Sequence, residues 1–137
     1  MTETLPFKQK SHLHPLLTDP SATAHVSTLL GHWSNTNFKT RGIAECAITR
    51  DDEGILVSIT GVETEWPNAR ATVLANLEEE AGQRSVALMA TFELGFMTAE
   101  THIRVNKGVL VIVLYVTFHD ESYGANYLNR EFFYLSD

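Results

Sequence analysis

From Gly31 to its end the chain is divided into short runs of period-two apolar patterning, and the punctuation between them is brief. The runs fall at about 31–36, 42–50, 54–61, 70–78, 84–93, 96–105, 108–119 and 125–135, joined by NFKTR, DDEG, VETEWPNA, EEEAGQ, LG, NKG and DESYG. A parallel crossover needs about a dozen residues, so most of these connectors admit only antiparallel hairpins. The expected fold is all-β, an up-and-down meander of eight strands. Left open, such a sheet exposes two edges; pairing the last strand with the first removes both and encloses an interior wide enough for side chains or one small ligand. A closed eight-stranded barrel is therefore expected, with an open sandwich as the alternative.

Matching neighbouring hairpins predicts which face is interior. With Leu94 and Gly95 as a tight loop, Val86, Leu88, Ala90 and Phe92 share a face with Met97, Ala99, Thr101 and Ile103. Carried across NKG as a three-residue loop, that face continues with Val109, Val111, Val113 and Tyr115, and this apolar surface is assigned to the lumen. The seventh run, 108–119, then carries a second apolar row, Leu110, Ile112, Leu114, Val116 and Phe118, on its outside. A two-faced strand needs cover on both sides, from an N-terminal helix or from a second subunit, making a homodimer through this face an expectation.

Residues 1–18, with Pro6 and Pro15, show no clear period and read as an irregular arm, leaving 19–137 as a single domain. Asp19 as N-cap and Pro20 at the first helical position predict a short helix from about Pro20 to Leu30. The 137 residues, 44% of them hydrophobic, suffice for one core and not for two domains. Ten Lys and Arg against 17 Asp and Glu give a net charge of −7, which disfavours nucleic acid and anionic membrane surfaces. The start, MTETLPFKQK, has no apolar core of a signal peptide, and GVLVIVLYV is too short to span a bilayer as a helix. Together with a single cysteine, Cys46, these features predict a soluble, cytoplasmic protein.

Within GHWSN, Gly31, Trp33 and Asn35 open the first strand after the short helix, and Arg130 stands in the last strand within NYLNREFFYL. With the eight-strand meander, this arrangement resembles the calycin superfamily, the lipocalins and avidins, over about residues 20–135. The resemblance implies that Trp33 and Arg130 stack as a plug at the closed end, with the pocket at the other. It does not extend to the second lipocalin motif, since only NKG stands between the sixth and seventh strands, nor to the further tryptophans of the avidin site.

If the first strand starts at the closed end, the loops after strands one, three, five and seven ring the mouth. They bring forward Asn37, Lys39, Arg41, Trp66, Arg70, His119, Asp120 and Tyr123. Trp66, before a proline in a loop, either caps a ligand or folds back on the rim. Arg41 and Arg70 either converge on a carboxylate or phosphate or pair with neighbouring acids. Tyr115, with Phe92 and Met97, would line the lumen and supply one polar group there. Glu100, His102 and Arg104 alternate on one face and would turn inward only on a one-residue register slip. His12 and His14 are a lone pair without zinc spacing, Cys46 has no nucleophile motif around it, and no phosphate loop or cofactor motif is present.

The expected function is binding of a small, largely apolar molecule, with or without a carboxylate, in the lumen through Arg41, Trp66, Arg70, Phe92, Met97, Tyr115 and Tyr123. The alternatives are a barrel enzyme for isomerisation or cyclisation of a small hydrophobic metabolite, with Tyr115, His119 and Asp120 as candidate catalytic groups, and a structural or partner-binding subunit.

Overall fold

The computed structural model describes residues 13–15, 26–76, 85–120, 122 and 124–136. Nine strands are found among them: β1 Leu13–Pro15, β2 Gly31–Asn35, β3 Ile43–Asp51, β4 Gly54–Gly61, β5 Ala69–Asn76, β6 Ser85–Glu93, β7 Met97–Asn106, β8 Val109–Phe118 and β9 Tyr127–Leu135. From β2 to β9 each strand pairs antiparallel with the next, and β9 returns to β2 through Trp33↔Leu135, Ser34↔Tyr134 and Asn35↔Phe133. The barrel is closed and eight-stranded, because closure supplies hydrogen-bond partners to what would otherwise be two bare edges. Three residues of the expected irregular arm, β1, pair with Leu74–Asn76 of β5; His12 and the rest of residues 1–18 lie outside the described residues.

The expected helix from about Pro20 to Leu30 is not supported among the described residues, and residues 20–25 lie outside them. Its described part, from Val26 onward, forms only a 3₁₀ turn at Ser27–Leu29, after which Leu30 is already extended. Asp19 and Pro20 lie outside the described residues. The apolar stripe of this segment was partial, and Val26 and Leu29 satisfy it by entering the barrel core directly. No helix among the described residues is long and apolar enough to cross a membrane.

Interior positions of β6 and β7 are as expected: Leu88, Ala90 and Phe92 are buried beside Met97, Ala99, Thr101 and Ile103, in the register Leu88↔Ile103 and Phe92↔Ala99. The tight turn itself is Gly95–Phe96, closed by the Leu94 N–H donating to the Met97 carbonyl at 2.9 Å. Thr101 keeps its hydroxyl in this apolar layer by donating to the Ala90 carbonyl at 2.9 Å.

β8 is corrected by one residue. Asn106 pairs with Val109, so the loop is the two residues Lys107 and Gly108, both at positive φ (55° and 83°), as in a type I′ hairpin. A loop one residue shorter than NKG reverses the face of every residue that follows it. Leu110, Ile112, Leu114 and Val116 therefore lie inside, while Val109, Val111, Val113 and Tyr115 lie outside, Tyr115 41% exposed. Because both rows are apolar, the hydrophobic pattern could not decide between them. The interior at mid-barrel is filled by side chains, with Phe92, Phe133, Leu88, Ile103 and Ile112 all below 2% exposed.

Candidate functional site

The end of the barrel where β2 starts is closed. Trp33 is 2% exposed, and its indole Nε1–H donates to the Leu29 carbonyl of the 3₁₀ turn at 3.0 Å. The partner implied by the calycin resemblance is corrected: Arg130 lies on the outer face of β9, exposed, opposite Val113, and does not stack on Trp33. Trp33 and the turn before it make the plug without an arginine. In β9 it is the next residue, Glu131, that points inward.

Loops 36–42, 62–68 and 94–96 and the described residues between β8 and β9 lie at the other end, as the alternation of strand directions requires. A partly open mouth cavity of about 210 Å³ lies there, lined from the first three loops and the adjoining ends of β3, β7, β8 and β9. Its apolar wall is Trp66, Phe96, Met97, Leu114, Phe118 and Tyr127, and its polar lining includes Arg41, Glu63, Thr64, Asn129 and Glu131. Phe96, Phe118 and Tyr127 form a chain of rings, with centroids 6.3 Å and 6.1 Å apart. Across from them Trp66 folds back into the mouth, meeting Phe92 edge-on at 5.2 Å, so that the indole both packs on the core and faces the cavity. Gly61 permits this: a Cβ there would sit 2.8 Å from the Trp66 Nε1 and against the Thr64 carbonyl.

Glu131 is 9% exposed and organises the rim. Its Oε1 accepts from Asn35 Nδ2 at 2.6 Å and Thr40 Oγ1 at 2.8 Å; its Oε2 accepts from the Ile43 N–H at 3.4 Å and Asn129 Nδ2 at 3.5 Å. Asn35 Nδ2 also donates to the Ile43 carbonyl at 2.8 Å, and its Oδ1 accepts the Asn37 N–H at 2.7 Å. One buried carboxylate thus fixes the 36–42 loop over the mouth. The Glu131 carboxylate also occupies the space where a side chain at Gly42 would begin, which keeps that position bare.

Of the sequence-derived candidates, Arg41, Trp66 and Met97 line the cavity. Arg41 is 83% exposed and ion-paired with Glu63, which bridges the 36–42 and 62–68 loops. Arg70 does not converge with it. Its guanidinium binds Asp51 in two hydrogen bonds of 2.7 and 2.9 Å and reaches Glu53 at 3.2 Å, at the β3–β4 hairpin. That partnership holds the Asp51 carboxyl below its ordinary range and raises Arg70. Phe92 is buried behind Trp66, and with Arg70 it borders a second, more open groove of about 590 Å³ where β5 and β6 part.

Tyr115 packs outside against His102, ring centroids 5.1 Å apart, and His102 Nε2 lies 2.9 Å from Glu100 Oε2 on the same outer face. Arg104 is outside with them, opposite Val111. The His119 ring is engaged at both nitrogens: Nδ1–H donates to the Gly95 carbonyl at 2.9 Å, and Nε2 lies 2.7 Å from Thr98 Oγ1. Asp120 accepts the Ser122 N–H at 2.9 Å, and bonding to Ser122 lowers its pKa. Asn37 caps its own loop by accepting the Lys39 N–H at 3.0 Å, and Lys39 lies 5.8 Å over the Phe38 ring. Tyr123 lies outside the described residues. Cys46 is fully buried, and burial pushes its thiol up to about 12.

Sequence reasoning missed Glu63, Phe96, Phe118, Tyr127, Asn129 and Glu131. In NREFFYL two adjacent phenylalanines leave the inner parity of β9 open; only the pairing Asn35↔Phe133 turns Glu131 toward the loop donors. Compared with protein-family models, with curated proteins and with solved structures, the chain matches none.

Proposed function

We propose that this chain is a binding protein of calycin-like architecture that holds a small, largely apolar molecule at the open end of its barrel. The observation that carries this reading is the mouth cavity, where four aromatic side chains and a buried, hydrogen-bonded carboxylate line one partly open recess. Mostly apolar walls with a few placed polar groups are what small-molecule sites share. At about 210 Å³ the cavity lies below the roughly 300–1,000 Å³ of drug-sized sites, so the ligand is small. The filled mid-barrel supports a seat at the mouth rather than deep in the lumen. Titrating Trp66 emission against a panel of small apolar molecules tests the reading. A saturable change that disappears in Trp66→Phe is expected; a flat response across the panel overturns it.

Tyr115, His119 and Asp120, the groups named for an isomerase or cyclase, do not line this cavity, so the binding reading is the better supported of the two. A partner reading is favoured by a different observation. On the outer face of β8 and β9, Tyr115, Leu128, Phe132 and Tyr134 are 41–57% exposed and adjacent in register, a contiguous apolar surface of the kind that marks interfaces. We propose a second copy of the chain as its occupant, because the face carries opposite charges, Arg130 within the patch and Glu100 at its β7 flank, as a self-complementary twofold contact requires. Sedimentation equilibrium should find a dimer that Phe132→Glu dissociates; a wild-type monomer at high concentration overturns it.

A further inference from the structure

The cavity walls carry two carboxylates, Glu63 and Glu131, and one guanidinium, Arg41, which is already paired with Glu63. The charge left over at the mouth is negative, in a protein of net charge −7. Glu131 is unevenly satisfied. Two short bonds occupy Oε1, whereas the two at Oε2 are long, at 3.4 and 3.5 Å, and weak enough for a charged donor to displace. The rings of Phe96, Phe118, Tyr127 and Trp66 line the same cavity. Electron-rich rings attract cations, and an ammonium group gains most where carboxylate and aromatic walls are combined in a partly desolvated site. An organic carboxylate in the same place would face Glu131 with no uncommitted cation among the lining residues.

We infer that the mouth cavity selects a small organic ammonium cation, its charged group on Glu131 Oε2 and its apolar body against the Phe96–Phe118–Tyr127 rings. The inference rests on the binding function proposed above and specifies the ligand's charge. Arg41 acts in it as the partner that neutralises Glu63 and leaves Glu131 as the determinant.

Three probes of nearly equal shape and different charge test it on the full chain: benzylammonium, benzyl alcohol and benzoate, each titrated at neutral pH by Trp66 emission and amide chemical shifts. Benzylammonium should bind at least tenfold more tightly than benzyl alcohol, with benzoate weakest. Glu131→Gln should abolish the preference for the cation while benzyl alcohol still binds. Should that variant fail to fold, the wild-type charge series decides alone. If benzyl alcohol or benzoate binds as tightly as benzylammonium, the inference is overturned and binding at the mouth stands. If none of the three perturbs the mouth, while other apolar molecules in the wider panel do, the ammonium class is again rejected. A flat response to every compound removes the binding function and the inference together.

Discussion

The Asn35 side-chain amide lies 2.6 Å from Glu131 Oε1, joining the strand that opens the barrel to the strand that closes it. The same nitrogen donates to the Ile43 carbonyl, so one amide ties β2, β3 and β9 at the mouth. Removing the carboxylate leaves the Asn35 and Thr40 donors short of a partner. Glu131→Ala should therefore lower unfolding stability by about 1–3 kcal/mol, read from the denaturant midpoint, and Glu131→Gln, which keeps one acceptor, should lower it less.

At the closed end Trp33→Phe removes the hydrogen bond to the Leu29 carbonyl and part of a buried ring. A loss of about 1–2 kcal/mol is expected. Arg130→Ala, on the outside, should change stability by no more than about 0.5 kcal/mol. Equal losses in the two variants would restore the tryptophan–arginine plug.

The β7–β8 hairpin places a lysine where glycine or asparagine is at ease, since Lys107 has φ 55°. Lys107→Asn should raise the thermal midpoint, corresponding to about 0.5–1 kcal/mol, whereas Gly108→Ala should lower it by a similar or larger amount.

Cys46 has no solvent contact, and burial holds its thiol protonated far above neutral pH. A thiol-specific reagent at neutral pH should label it only at the rate of unfolding, so that labelling accelerates with denaturant and in Glu131→Ala. Rapid labelling of the native chain would contradict the packing around β3.

Asp51 is held ionised by Arg70, so its pKa is lower when folded than when unfolded. This contribution to stability is present above the ordinary carboxylate range and is lost as pH falls through the folded value. The stability difference between wild type and Asp51→Asn should accordingly be largest near neutral pH and shrink in acid below about 3.8.

The sequence carried the eight strands of the barrel, their limits to within about two residues and its closure, though not β1, because short connectors and alternating runs leave few other topologies. It also carried the interior faces of β6 and β7, where only one face is apolar. Trp66 and Arg41 were legible at the mouth from loop position alone. Tyr115 and Arg130 were not, since β8 is apolar on both faces and β9 holds Phe132 and Phe133 side by side.

By itself, then, the chain's alternation determined that a barrel forms, because burial of a period-two face is a local property of each run. Only the tertiary structure decided what the barrel holds at its mouth. A one-residue difference in the Lys107–Gly108 turn set the inner row of β8, and pairing of β9 with β2 brought Glu131 within hydrogen-bond reach of Asn35, 96 residues away in sequence. Register is a property of two strands together, and no single run of residues contains it.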